Sequence, residues 1–222
     1  MAILTLQPDA AAGKDALLSS GAPTTNYGTL VSVRVGSLPT AAALRSLIAP
    51  PSLPPAGSII TSATLSLWEV TADSSAGAPA SWAVELRKVL RNWVEAEATW
   101  NKFSTAGGDW ATAGCSNATD CDATALAAVT LDKTPADDFI TWSGAGLTAL
   151  AQAWTDGTSP NYGVLLSAPT AESLGAEWGT SWFHSSDYAT DAAKRPKWVI
   201  EYRNPVRSIG SGIGSGIASG IA

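Results

Sequence analysis

Residues 139–166 read FITWSGAGLTALAQAWTDGTSPNYGVLL, and this stretch decides the fold. Phe139 to Trp142 read as a strand that runs into a glycine-broken turn. Leu147, Leu150, Ala151 and Trp154 then fall at i, i+3, i+4 and i+7, which is one face of a short helix. Asp156, Gly157 and Pro160 stop that helix. Asn161-Tyr162-Gly163 opens a second strand, in which Tyr162, Val164 and Leu166 alternate with Gly163 and Leu165. The predicted unit is strand, one-face helix, strand, with the helix lying as a lid over an otherwise all-β core.

The rest of the chain agrees with that unit. Val31, Val33 and Val35 alternate with Ser32 and Arg34, and Ile59 to Val70 forms a long strand with Ala63, Leu65 and Leu67 on one face. Trp82, Val84 and Leu86 alternate with Ala83, Glu85 and Arg87, and Trp198, Ile200 and Tyr202 share a face of a closing strand. ILTL near the start is a leading strand, and Leu126 to Leu131 is a weaker one. A short helix is expected over Thr40 to Ile48, before a proline-rich connector. Residues 102–124 read as a long Gly, Asp and Asn loop. Thr24-Thr25-Asn26-Tyr27-Gly28 echoes Thr158-Ser159-Pro160-Asn161-Tyr162-Gly163, a turn device used twice. The expected fold is all-β, an antiparallel, jelly-roll-like β-sandwich over residues 1–204 with one short helix packed on it. An extended Gly/Ser/Ile-rich tail, 205–222, follows.

At 222 residues the chain can bury a sizeable core without staples. Charged residues are only 14%, and ten Trp stand against three Phe, usage that suits strands and rigid surfaces. A net charge of −6 without any basic run excludes nucleic acid as the natural partner. No apolar stretch is long enough for a membrane span. The opening MAILTLQPDA lacks a basic n-region and a long apolar run. The expectation is therefore either a mature chain whose signal has been removed, or a cytoplasmic product that leaves by another route, such as inside a virus particle.

Cys115 and Cys121 bracket CSNATDC and read either as a local disulfide or as two free thiols. Zinc needs more ligands than these and His184 supply. In the tail, Ile209, Ile213, Ile217 and Ile221 recur every four residues beside Gly212, Gly216 and Gly220. That spacing suits close helix contact, although glycine costs about 1 kcal/mol per residue in a helix. The tail is thus a linker or a docking segment that orders against a partner.

Several pieces resemble the DNRLRE-type domain, a β-sandwich module related to carbohydrate-binding family 96. They are Pro23-Thr24-Thr25-Asn26-Tyr27-Gly28 and Ile60-Thr61-Ser62-Ala63-Thr64-Leu65-Ser66-Leu67. They continue with Trp93-Val94-Glu95 through Thr99-Trp100-Asn101, Leu150-Ala151-Gln152-Ala153-Trp154 with Asn161-Tyr162-Gly163, and Arg195-Pro196-Lys197-Trp198-Val199-Ile200-Glu201-Tyr202. The resemblance covers residues 6–202. It departs where the family carries Arg-Phe-Asp before the Ser-Ala-Thr-Leu strand and Asp-Val before the helix. Here Arg45-Ser46-Leu47-Ile48 and Ser143-Gly144-Ala145 stand instead. The resemblance implies surface binding or display, since such modules occur on secreted glycan-active proteins and among viral or phage structural proteins.

Trp110, Trp178, Trp182 and Tyr188 sit in loop-like segments beside polar residues and are the candidate contacts for carbohydrate or a partner protein. The alternative is that they cap the sandwich edges. Trp68, Trp93, Trp100, Trp154 and Trp198 read as core. Asp109, Asn117, Asp120 and Asp122 crowd one loop and are candidate calcium ligands, with a solvated loop as the alternative. No other cofactor is implied. Glu95 and Glu97 would share a strand face at i and i+2, but the resemblance makes Glu95 part of a structural turn. His184 beside Ser185, Ser186 and Asp187 lacks the surroundings of a triad. The expected function is non-enzymatic. The chain would be a virion-surface protein, a phage head decoration or tail component, held in a larger assembly or by self-association and able to contact glycans. The alternative is a carbohydrate-binding module or adhesin of a secreted bacterial protein, at the cell surface or outside it.

Overall fold

The computed structural model describes residues 1–204, so the tail positions Ile209, Ile213, Ile217 and Ile221 lie outside the described residues. In chain order the elements begin with β1 (Ala2–Leu6), β2 (Asp15–Ser19), β3 (Ser32–Ser37), β4 (Ala43–Ile48), β5 (Ile59–Ser74) and β6 (Ser81–Lys88). Next come β7 (Lys102–Ser104), β8 (Gly108–Asp109), β9 (Ala127–Asp132), β10 (Phe139–Ser143) and α1 (Ala145–Thr155). β11 (Val164–Ser167), α2 (Pro169–Glu172), β12 (Gly179–His184), a 3-10 turn (Ala192–Lys194) and β13 (Lys197–Arg203) complete the described residues. Every pairing among the described strands is antiparallel.

Strand β5 organises the sandwich. Its first half, from Ile59 to Trp68, pairs with β13 and β10, and β1 lies outside β13. Its second half, from Glu69 to Ser74, pairs with β12. From β12 the second layer continues through β3, β4, β11 and β6 to β9, with β2 also on β4. One long strand thus belongs to both layers, and the sheet curls over a shared core. That core takes Val33 and Val35 from β3, Leu65 and Leu67 from β5, Trp142 from β10, Phe183 from β12 and Trp198 from β13.

Helix α1 forms as the 139–166 stretch predicts and buries Leu147, Leu150, Ala151 and Trp154 against β5. Gly144 starts it at φ 149, a conformation that favours glycine. The Trp154 and Trp198 rings meet edge-on at 6.2 Å. Trp93, Trp154 and Trp198 are buried as expected. Trp68 and Trp100 are only half-buried.

Two segments differ from the sequence reading. The helix expected over Thr40 to Ile48 does not form; Ala43–Ile48 is strand β4 instead. β4 lies between β2 and β11, so Ile48 faces one core and Leu47 another, and ladder pairing outweighs the local helix preference. Residues 102–124 are not merely a loop. They cover the outer face of β2, β4 and β11, where Phe103, Trp110, Cys115 and Cys121 pack with Ala16, Leu18, Leu47 and Leu165 around Trp93. This second core is why Val164, Leu165 and Leu166 are all buried: Val164 and Leu166 enter the central core and Leu165 enters the other.

Candidate functional site

The outer face of β3, β12 and β5 carries the most promising surface. Alternation along β12 sends Phe183 into the core and turns Trp182 and His184 outward. On β3 the same alternation buries Val33 and Val35 and turns Ser32 and Arg34 outward. Register then sets Trp182 opposite Arg34 and His184 opposite Ser32. The Arg34 guanidinium lies over the Trp182 ring at 3.6 Å from its centroid, while its Nε donates to Ser32 Oγ at 3.2 Å. No carboxylate pairs with Arg34 among the described residues.

Tyr188 joins this face through the turn after β12. Its N–H donates to Ser185 O, the Ser185 hydroxyl donates to Leu30 O, and Arg195 Nε donates to Tyr188 O at 2.8 Å. The turn lays the phenol flat on His184, with ring centroids 3.5 Å apart and 10° between planes. Burial, and then the nearby Lys194 charge, hold the His184 imidazole below its ordinary pKa. Exposed Val31 and Val70 complete a groove of about 280 Å³ with Ser32, Arg34, Trp182, His184 and Tyr188. Flat rings, apolar rims and one free cation can hold the faces of a sugar and its hydroxyls.

Of the four aromatic candidates, the structure brings Trp182 and Tyr188 together. Trp182 lies on a strand and not in a loop. Trp178 is half-buried just before β12, where its N–H donates to Ser75 Oγ. Trp110 is 4% exposed and its indole donates to Thr99 O at 2.9 Å, so it is a core residue and not a contact residue. Arg34, His184, Val31 and Val70 were missed. The Val33 and Val35 alternation already implied that Arg34 faces away from the core, but it set Val31 with the core, whereas Val31 lies just before β3 and is exposed, and nothing local placed Trp182 opposite Arg34.

The candidate calcium loop is built differently from the expectation. Asp120 is fully buried, and its carboxylate accepts the Ala111 N–H, the Thr112 N–H and Arg91 Nε. Asn117 turns its oxygen onto the Thr119 N–H, while Asp109 is exposed on β8. Asp109, Asp120 and Asp122 do not converge on a point. The Asp120 carboxylate is spent on closing the lid over the second core. Cys115 and Cys121 are both free and buried, not bridged. The Cys121 thiol donates to Cys115 O at 3.0 Å, and the Cys115 thiol to Asp120 O at 3.6 Å.

Neither catalytic arrangement forms. Residues 95–97 lie in a turn, so Glu95 and Glu97 do not share a strand face; Glu97 instead accepts the Thr105 N–H at 2.6 Å. His184 stacks on Tyr188, while Ser185 donates to Leu30 O.

Glu95 has other neighbours. Oxygens of Asp15, Glu95 and Asp187 lie within 4.8 Å of one another. Asp15, the first residue of β2, is 3% exposed and donates its N–H to Glu95 Oε1 at 2.7 Å, while its Oδ2 accepts the Ser186 N–H at 2.9 Å. Burial pushes the Asp15 carboxyl up to about 6 and the Glu95 carboxyl up to about 7, and it raises Asp187 as well. Three segments distant in sequence build this cluster, so no spacing could have announced it.

No protein-family model matches the chain, and no curated protein matches it.

Proposed function

We propose that the chain is a non-enzymatic binding module, a structural protein of a virion surface, that grips glycans at the groove between β3, β12 and β5. The observation that carries this reading is the pairing of Trp182 under Arg34 with Tyr188 flat on His184, on an open sheet face outside both cores. Rings held by strand register and by a bonded turn are pre-organised, so little ordering entropy opposes binding. The 205–222 tail, with its Ile209, Ile213, Ile217 and Ile221 repeat, is the attachment element in this reading. A carbohydrate-binding module or adhesin of a secreted bacterial protein is the second reading, and the same groove favours it.

Glycan-array binding of the full chain, followed by titration of the best ligand, tests the groove. Trp182→Ala and Tyr188→Ala should each weaken binding at least tenfold, equivalent to about 1.4 kcal/mol, with little change in melting temperature. Binding that survives both substitutions would sink the groove assignment. Sedimentation velocity on the full chain and on a chain lacking Ser208 to Ala222 separates the two readings. Assembly by the full chain alone supports a particle component, and two monomers favour the secreted module.

A further inference from the structure

We propose that Asp15, Glu95, Asp187 and the Ser186 hydroxyl form a site for a hard divalent cation of the calcium class. The donors are all oxygens, which suits calcium rather than zinc or copper. Calcium–oxygen bonds run at about 2.3–2.6 Å, so ligands on opposite sides of one ion stand about 5 Å apart. The three carboxylates, within 4.8 Å of one another, fit around a single ion.

Two observations favour a cation over a chance meeting of acids. The first is charge. Asp15 is buried, yet no Lys or Arg forms an ion pair with any of the three carboxylates among the described residues. Lys14 is adjacent and its charge offsets part of the burial effect at Glu95, but its ammonium lies over the Trp93 ring at 4.3 Å from the centroid and does not reach Asp15 as an ion pair. A buried carboxylate without a counter-charge, as at Asp15, is strongly disfavoured. The second is the Ser186 side chain. Ser186 is 1% exposed and its Oγ has no hydrogen-bond partner among the described residues. It lies beside the Asp15 carboxylate, close enough to offset part of the burial effect there but outside hydrogen-bond geometry. A Cβ on Gly13 would stand 2.2 Å from that oxygen, so glycine there makes room for the hydroxyl beside Asp15.

The site has a route and a consequence. A cleft of about 570 Å³, lined in part by Gly13, Lys14, Trp93 and Glu95, opens next to it. An ion there would clamp the start of β2, the turn carrying Glu95 and the turn carrying Asp187. The last of these turns also carries Tyr188, so the ion would steady one wall of the groove from behind.

The test uses the full chain, stripped with EDTA and titrated with calcium chloride at pH 8 by calorimetry and thermal melting. The expected result is saturable one-site binding, in the millimolar range or tighter, with a raised melting temperature. Glu95→Gln and Asp187→Asn should abolish both responses while the chelated variants melt no lower than the chelated parent. Asp122→Asn should respond like the parent. No saturable heat and no melting shift with calcium would overturn the proposal, leaving carboxylates that share protons. Loss of the response in Asp122→Asn with retention in Glu95→Gln would overturn it too, by moving the ion to the 109–122 loop.

Discussion

Gln152 of α1 completes the backbone of β5 at Ile60. Its side-chain oxygen accepts the Ile60 N–H at 2.8 Å, and its amide donates to Ser58 O at 3.0 Å. Ser58 and Ile60 are both buried, so no solvent replaces these bonds. The helix is therefore fastened to the sheet by polar bonds as well as by its apolar face. Gln152→Ala should destabilise the protein by about 1–3 kcal/mol for each backbone group left unpaired. Urea unfolding measures this, and a loss within ±0.5 kcal/mol, typical of a surface site, would show that the bonds are dispensable.

Trp154→Ala tests the apolar side of the same contact. The ring is 4% exposed and meets Trp198 edge-on. A loss of about 3–5 kcal/mol is expected. A loss below about 1 kcal/mol would mean that the helix contributes little cover to the core.

Asn26 and Asn161 form equivalent turns. Asn26 accepts the Gly28 N–H and donates to Glu95 O and Ala98 O. Asn161 accepts the Gly163 N–H and donates to Pro50 O. A Cβ would stand 2.3 Å from Glu95 O at Gly28, and 2.3 Å from Ile48 O at Gly163. Gly163 also has φ +73. Asn26→Ala and Asn161→Ala should each cost about 1 kcal/mol or more, and Gly163→Ala should cost more than either. Denaturant midpoints for the three variants give the ranking.

Glu69 sets a pH dependence. Burial raises its carboxyl above the ordinary 4.5, although Oε2 accepts the Ala136 N–H and the Ser181 hydroxyl is near. A raised acid binds its proton more tightly in the folded state. Its effect on stability is nil below the ordinary value, becomes unfavourable as pH rises through the raised value, and then levels off. Glu69→Gln should therefore melt higher than the parent at pH 8, with the advantage fading towards pH 4. An advantage that does not change with pH would assign the gain to packing instead.

Cys121 and Cys115 should titrate in opposite directions. Contact with Cys115 lowers the Cys121 thiol and raises the Cys115 thiol, whose burial raises it further; Arg87 and Arg45 add to the lowering at Cys121. Both are covered by the second core, so alkylation of the folded protein should be slow. The little that occurs should be lost in Cys121→Ser. Mass spectrometry of the unreduced protein should count two free thiols.

The stretch 139–166 determined its own outcome. A one-face apolar repeat, a glycine before it and Asp-Gly after it leave one way to bury Trp154, and α1 with its two flanking strands follows from local patterning. The alternations of β3, β5, β6 and β13 were legible for the same reason, because a period of two is a property of the chain itself. The strand over Ala43–Ile48, the lid over the second core, and the meeting of Trp182 with Arg34 were not. Each depends on which strand lies alongside which, and ladder partners distant in sequence leave no local trace. The Asp15, Glu95 and Asp187 cluster is the limiting case. Its members come from the start of β2 and from two turns, and only the closing of the sandwich brings their charges to one place.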